Sequence, residues 1–197
     1  MPPIPAPARA AACAARPRVV LIGPPGAGKS TVARLLAREL GVTARDTDVD
    51  VERAAGKPIG EIFVDDGEPH FRDLEREAVT TALAVHDGVL ALGGGAVLDP
   101  LTEDALAAYV TGGGAVVFLD VSLAHAAPRI GFNQARPLLL GNPRGQWKAL
   151  MERRRPIYSR VATLVVSTDA RTPAQVTRVI AAALAAGATH ENGTPDE

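Results

Sequence analysis

This chain contains a single cysteine and has almost no net charge. Cys13 is the only cysteine among 197 residues, which excludes an internal disulfide framework and a cysteine-rich metal site and fits a reducing cytosol. The 21 basic and 22 acidic side chains leave a formal charge of −1, so the chain lacks the broad positive field that attracts nucleic acid or an anionic membrane. We expect a cytoplasmic monomer whose partners are small molecules, with no nucleic acid and no membrane.

Long apolar runs are missing from the two ends of the chain. Residues 1–17 contain few large apolar side chains, so they match neither a secretory signal nor a membrane span, and we expect a disordered arm. Residues 187–197 are polar and aperiodic, which predicts a disordered tail. With 47% hydrophobic and 22% charged residues, the chain has enough apolar side chains for one compact core. We therefore predict that residues 18–186 form a single domain.

What the sequence does contain is a regular alternation of strand and helix patterns. The apolar residues after Arg18 stop at Gly23, as a strand buried on both faces should. A helix with an apolar face and a left-handed cap at Gly41 is predicted next. The apolar positions of that helix are Val32, Leu35, Leu36 and Leu40.

Three further apolar runs, 89–92, 115–119 and 162–166, predict buried strands separated by helical segments. Thr172 and Pro173 predict the N-cap and first position of the last helix. This alternation predicts an α/β fold with a parallel sheet covered by helices.

The helix before the run at 89–92 has a mixed pattern. Its apolar stripe predicts that Glu75 and the neighbouring charged residues lie mostly off the buried face. The stripe consists of Phe71, Leu74, Ala78, Ala82 and Val85.

The segment Gly23 to Ser30, GPPGAGKS, matches the phosphate-binding pattern G-x-x-x-x-G-K-[ST]. Its glycines let backbone N–H groups surround an anion, and the helix that begins near Ser30 adds its positive end. We expect Lys29 to reach the β- and γ-phosphates of ATP and the Ser30 hydroxyl to bind Mg²⁺.

Asp46, Thr47 and Asp48 follow the predicted second strand. In an extended chain the two carboxylates would point to the same side, toward the phosphate crevice. One would hold magnesium, and the other would accept a hydrogen bond from an acceptor hydroxyl and orient it. A solvated acidic loop is the alternative interpretation of the same three residues.

A second glycine cluster and several arginines complete the pattern. Gly93, Gly94 and Gly95 follow the strand at 89–92, where backbone could approach a ligand closely. Arginine suits a bidentate grip on carboxylate and phosphate, and the segment 131–143 has the glycine and proline boundaries of a mobile lid that would deliver an arginine. The arginines are Arg72, Arg136 and the run at 153–155.

Taken in order, the motifs GPPGAGKS, DTD, GEPHFRDLE, GGG, ARPLL and RRPIY closely resemble those of the shikimate kinases, small P-loop kinases related to nucleoside monophosphate kinases. The resemblance covers roughly residues 18–184. It implies the three-layer α/β/α sandwich of P-loop NTPases, with a five-stranded parallel sheet of order 2-3-1-4-5 and a mobile lid. It also implies ATP and Mg²⁺ as cofactors and phosphorylation of the 3-hydroxyl of shikimate, a step of aromatic amino-acid biosynthesis.

The resemblance also implies a role for each matching residue. Glu75 would orient Arg72. The implied catalytic residues are Lys29, Asp48 and Arg136. The implied nucleotide-binding residues are Gly26, Ala27, Gly28, Lys29, Ser30, Thr31, Arg129, Arg136, Arg171 and Pro173. The implied shikimate-binding residues are Asp48, Arg72, Gly93, Gly94, Gly95 and Arg154. The implied metal ligands are Ser30 and Asp46.

Two other functions fit the phosphate loop. A gluconate-type or nucleoside monophosphate kinase could use the same scaffold. A regulatory module could keep the phosphate cradle and transfer nothing, although the presence of Asp48, Arg72 and Arg154 argues against it.

Overall fold

The computed structural model describes residues 16–130 and 142–187. The predicted lid lies outside these residues except for its last two positions, and so does Arg136. Most of the two predicted tails also lies outside, and the domain boundaries at residues 18 and 186 stay predictions. In the described ranges no helix is long and apolar enough to cross a membrane.

A five-stranded sheet of order β2-β3-β1-β4-β5 forms the centre of the protein, and all neighbouring strands are parallel. The α/β fold and the strand order are therefore confirmed. Every residue of β1 and β3 is buried, so helices cover both faces of the sheet there. The strands are β1 Val19–Ile22, β2 Ala44–Asp46, β3 Val89–Ala91, β4 Val116–Asp120 and β5 Leu164–Ser167. The prediction of a buried strand at 162–166 is wrong, because β5 lies at the edge of the sheet and Val165 is 51% exposed.

Helices connect each strand to the next. In the described part of the chain they are α1 Lys29–Leu40, α2 Thr47–Ala55, α3 Ile59–Asp65, α4 Gly67–Val85, α5 Pro100–Thr111, α6 Leu123–Ile130, α7 Pro143–Val161 and α8 Pro173–Ala185, with a short 3₁₀ helix at Ala96–Leu98. Because parallel strands end at one edge, the loops that follow β1, β2 and β3 meet at that edge.

The predicted helix ends are confirmed at α1 and α8. Gly41 ends α1 in the left-handed conformation with φ 67°, which glycine adopts without the steric cost that a Cβ brings. Thr172 begins α8 with a capping box in which it and Gln175 bond to each other's backbone N–H groups, and Pro173 follows as predicted.

The predicted buried face of α4 is wrong in two places. Glu75 is 3% exposed, whereas Val85 is 60% exposed. Val79, which the predicted stripe left out, is fully buried. The physical reason is that Glu75 finds a partner beside it in Arg72, so a carboxylate can enter a position that spacing alone reserves for apolar side chains.

Candidate active site

The loop between β1 and α1 has the shape that phosphate binding requires. Gly28 is the N-cap of α1 and has φ 88°, a conformation that side chains rarely adopt. Gly23 has φ 144°, and a Cβ on it would lie 2.6 Å from the carbonyl oxygen of Leu119. Glycine is therefore needed at both positions, and the loop presents the N-terminus of α1 to an anion.

Lys29 lies over this loop. Its Nζ donates hydrogen bonds to the carbonyl oxygens of Gly23 at 2.8 Å and Pro24 at 3.2 Å. The ammonium group is thus held beside the backbone that would surround a phosphate.

Asp46 joins the phosphate loop to the end of β2. Its Oδ2 accepts a hydrogen bond from Ser30 Oγ at 2.6 Å, and its Oδ1 accepts one from the backbone N–H of Asp48 at 3.1 Å. Asp46 is therefore the N-cap of α2, and the extended conformation predicted through Asp48 is wrong. Both carboxylates nevertheless line the same cavity.

That cavity, of about 400 Å³, runs along the phosphate loop toward the end of β5. It brings together predicted residues from five separate parts of the chain. They are Gly26, Ala27, Gly28, Lys29, Ser30, Thr31, Asp46, Asp48, Gly94, Arg129, Arg171 and Pro173.

Arg129 and Arg171 border the end of the cavity away from Asp48. Arg129 donates to the carbonyl oxygen of Gly26 and to both oxygens of Thr168, each at 3.3 Å. Arg171 donates to the carbonyl oxygen of Ser167 at 2.7 Å. These contacts fix the loop after β5 against α6 and the phosphate loop.

On the opposite side, Arg72 forms a cluster with two acidic neighbours on α4. Its Nη1 donates to Glu75 at 2.6 Å and its Nη2 to Glu68 at 2.8 Å. Burial lowers the pKa of Arg72, but these hydrogen bonds outweigh that effect and raise it. Burial raises the pKa of Glu75, opposed by Arg72 and reinforced by the negative charge of Asp48. Arg72 is therefore a cation fixed in place by Glu68 and Glu75.

The triple glycine lies between this cluster and the cavity. A Cβ on Gly93 would lie 2.5 Å from Oδ1 of Asp48 and 2.7 Å from Oε1 of Glu75, and a Cβ on Gly95 would lie 2.5 Å from Nη1 of Arg72. The charged side chains thus pack directly against bare backbone.

Arg154 and Tyr158 approach the triple glycine from α7. Arg154 donates to the carbonyl oxygen of Gly94 at 2.9 Å, and the Tyr158 hydroxyl donates to the same oxygen. Arg155 instead pairs with Asp120. Arg154, the arginine of this run that the resemblance implies to bind shikimate, therefore lies at the triple glycine.

The comparisons with known proteins agree with this geometry. The profile described as shikimate kinase matches residues 25–185. Shikimate kinase from Streptomyces coelicolor is 57% identical over 162 residues, which are 82% of this chain and 92% of that protein. Shikimate kinase from Thermobifida fusca is 55% identical over 171 residues, 87% of this chain and 96% of that protein. The chain belongs to the shikimate kinase family.

Solved structures place the fold in the same family. Shikimate kinase from Acinetobacter baumannii, solved in complex with shikimate, aligns with a TM-score of 0.81 at 32% identity and covers 88% of this chain and 95% of that one. A gluconokinase from Sinorhizobium meliloti aligns with a TM-score of 0.56 at 23% identity over 88% of this chain and 94% of that one, which shows a shared fold alone.

Within this shikimate kinase fold, three contributing residues were not foreseen from the sequence. Thr168 and Val176 line the same cavity as the phosphate loop. Thr47 is completely buried and its Oγ1 accepts a hydrogen bond from the N–H of Gly93 at 2.9 Å. That N–H group is therefore used inside the protein. A polar residue directly after a strand is the signal that could have indicated Thr47.

The donors at the predicted metal position suit magnesium. Mg²⁺ prefers oxygen ligands and keeps several waters, so it needs only one or two protein ligands beside the phosphates. Ser30 Oγ and Asp46 Oδ2 lie 2.6 Å apart at the phosphate loop and supply such a pair. Among the described residues no cluster of three or more histidine, cysteine or acidic side chains forms a protein-only metal cage.

Proposed function

We propose that this chain transfers the γ-phosphoryl group of ATP to the 3-hydroxyl of shikimate, giving shikimate 3-phosphate and ADP. The observation that carries the proposal is the single cavity in which Lys29 and the phosphate loop face Asp48 and Gly94. A nucleotide phosphate and an acceptor held there would be neighbours, and positioning of this kind supplies a large part of catalysis in phosphoryl transfer.

The carboxylate of the acceptor would be bound by Arg72 and Arg154. Both arginines contact the triple glycine, Arg72 packing against Gly95 and Arg154 donating to Gly94. Guanidinium groups bind carboxylates through paired hydrogen bonds. Their position beside Asp48 and Gly94 supports shikimate, a carboxylate with several hydroxyl groups, as the acceptor.

Asp48 would orient the attacking hydroxyl and accept its proton. Its carboxylate lies at the junction of the cavity and the triple glycine, packed against Gly93. Attack in line with the leaving ADP requires no covalent enzyme intermediate.

Positive charge near the transferred group would come from Lys29 and, in the proposed lid at 131–143, from Arg136, which lies outside the described residues. Ser30 and Asp46 would hold Mg²⁺ together with the nucleotide phosphates. When bound, the ion neutralises charge on the phosphate oxygens.

The remaining nucleotide contacts would involve the phosphate loop and the base. Gly26, Ala27, Gly28 and Thr31 would surround the phosphates with backbone N–H groups. Arg129, Arg171 and Pro173 line the other end of the cavity, which supports a role in binding the adenine.

A coupled assay of ADP release with shikimate, gluconate and nucleoside monophosphates in parallel tests this function. We expect ADP release with shikimate as the acceptor and none with gluconate or nucleoside monophosphates. Faster turnover with gluconate or a nucleotide would favour the related kinases, and ATP binding without shikimate-dependent turnover would favour a regulatory module. We also propose a cytoplasmic monomer. The lone Cys13 fits a reducing compartment, and light scattering tests the oligomeric state.

A further inference from the structure

One hydrogen bond joins the two loops that form the acceptor side of the site. The N–H of Gly93 donates to Thr47 Oγ1 across 46 residues of sequence. Both residues are buried, and Thr47 stands between the carboxylates Asp46 and Asp48. The contact therefore connects the segment that carries both aspartates to the triple glycine.

The pairing of β2 with β3 explains why a hydroxyl is needed here. In this parallel pair Asp46 lies opposite Ala91, and the N–H of Val89 donates to the carbonyl oxygen of Thr43. Gly93 and Thr47 are each four residues further on, so a continued ladder would pair the N–H of Gly93 with the carbonyl of Thr47.

The backbone of Thr47 cannot make that bond, because α2 begins at this residue. Its side-chain hydroxyl takes the place of the missing carbonyl as acceptor. The sheet is thereby extended by one hydrogen bond beyond the end of β2, and a buried N–H group keeps a partner.

We infer that Thr47 is a positioning residue that sets the separation between Asp48 and the triple glycine. Asp48 directly follows Thr47 and packs against Gly93, so the bond fixes both sides of this contact. Gly94, the next residue, receives Arg154 and Tyr158. Loss of the bond would leave the loop free to shift relative to Asp48. The inference rests on the proposed function, because it assigns this edge of the site to shikimate.

Two substitutions separate the hydroxyl from the shape of the side chain. Thr47→Val removes the acceptor and keeps the branched shape, whereas Thr47→Ser keeps the acceptor and removes a methyl group. We expect Thr47→Val to lower kcat/KM for shikimate by about tenfold or more, because a buried N–H loses its partner. KM for ATP should stay within about twofold, since the phosphate loop is untouched. Thr47→Ser should keep most of the activity.

Several results would overturn the inference. One is a folded Thr47→Val enzyme with wild-type kcat/KM for shikimate, and another is a Thr47→Ser enzyme as impaired as Thr47→Val. A third is an equal loss of kcat/KM toward shikimate and ATP, which is the result that a merely structural role predicts. If Thr47→Val does not fold, amide hydrogen exchange of the wild-type protein decides. Protection of the Gly93 amide supports the inference, and exchange at the rate of an exposed loop overturns it.

The wild-type control separates this inference from the proposed function. A wild-type enzyme that does not turn over shikimate removes the proposed function and the inference with it. An active wild-type enzyme matched by Thr47→Val removes the inference alone.

Discussion

The hydroxyl of Ser30 donates a hydrogen bond of 2.6 Å to the carboxylate of Asp46. This contact ties the first turn of α1 to the residue that ends β2 and caps α2. These two oxygens are the pair proposed to hold magnesium. Because the other carboxylate oxygen of Asp46 accepts a hydrogen bond from the N–H of Asp48, Asp46 connects the proposed metal site to Asp48.

Asp46→Asn should weaken metal binding without unfolding α2. Asparagine caps helices about as well as aspartate, but its neutral amide is a poorer ligand for Mg²⁺. We expect the Mg²⁺ concentration for half-maximal activity to rise by about tenfold or more, measured at saturating ATP and shikimate. Asp73→Asn, at a carboxylate that is 71% exposed on α4, is the control. An unchanged magnesium requirement in Asp46→Asn would remove Asp46 from the metal site.

Lys29→Ala should cut turnover at least about a hundredfold. Losing one charged contact to the transferring phosphoryl group costs on the order of 3 kcal/mol in the transition state. The measurement is kcat with saturating ATP and shikimate. Lys148→Ala is the control, because that lysine is 74% exposed and pairs with Glu152. Normal turnover in Lys29→Ala would eliminate the proposed mechanism.

Arg72→Ala should chiefly raise KM for shikimate, by about tenfold or more, because a charge-assisted contact to the carboxylate is lost. Nucleotide affinity should stay nearly intact, since Arg72 packs against Gly95 and does not line the cavity at the phosphate loop. Arg76→Ala, one turn further along α4 and paired with Asp73 and Asp99, is the matched control. Equal losses toward ATP and shikimate would contradict the assignment of Arg72.

The two tyrosines of the chain should ionise only as the protein unfolds in alkali. Burial raises the pKa of both Tyr109 and Tyr158 to about 12. A raised folded pKa means that their contribution to stability is complete below the unfolded value near pH 10 and is lost as the pH rises through 12.

Tyrosinate absorbance and far-ultraviolet circular dichroism, recorded on the same samples, check this alkaline transition. We expect both signals to change together above pH 10. In Tyr109→Phe the absorbance change should halve, leaving Tyr158 alone. Tyrosinate formation near pH 10 with native circular dichroism would show that a tyrosine is accessible in the folded protein.

Ala170→Gly should stabilise the protein. Ala170 is exposed and has φ 52°, a left-handed conformation that costs a residue with a Cβ about 1–2 kcal/mol. Glycine relieves that strain, but its greater conformational freedom in the unfolded chain lowers the free energy of unfolding by about 0.4–1 kcal/mol. We therefore expect a gain of about 0.5 kcal/mol in the free energy of unfolding by urea titration.

Ala182→Gly, at an exposed position inside α8, is the control of opposite sign. It should lose about 1 kcal/mol, because glycine is a poor helix former. A loss of similar size in Ala170→Gly would show that the left-handed conformation carries no strain.

Local signals were enough to predict the end of α1 and the start of α8. Gly41 and the pair Thr172 and Pro173 act through their own backbone and nearest neighbours, and the structure has them as expected. The apolar runs predicted the central strands β1, β3 and β4 for the same reason, since a strand buried on both faces must be apolar throughout. An apolar run did not distinguish the edge strand β5, which is only partly buried.

Features that depend on specific side-chain contacts could not be predicted in this way. Asp48 was expected in an extended segment. Asp46 instead caps α2, so the helix begins at Thr47 and Asp48 lies in its first turn. Glu75 is buried because Arg72 neutralises it, which its spacing does not reveal. The Thr47 contact depends on the register of β2 against β3, and the two partners are 46 residues apart.

The bare backbone at Gly93 and Gly95 has a consequence for engineering the acceptor. Any side chain added there would collide with Asp48, Glu75 or Arg72, so single substitutions in this loop would disrupt the charged side chains rather than reshape the site around a new molecule. Libraries aimed at a different acceptor should therefore hold the glycines constant and vary the helices, around Arg72 in α4 and Arg154 in α7.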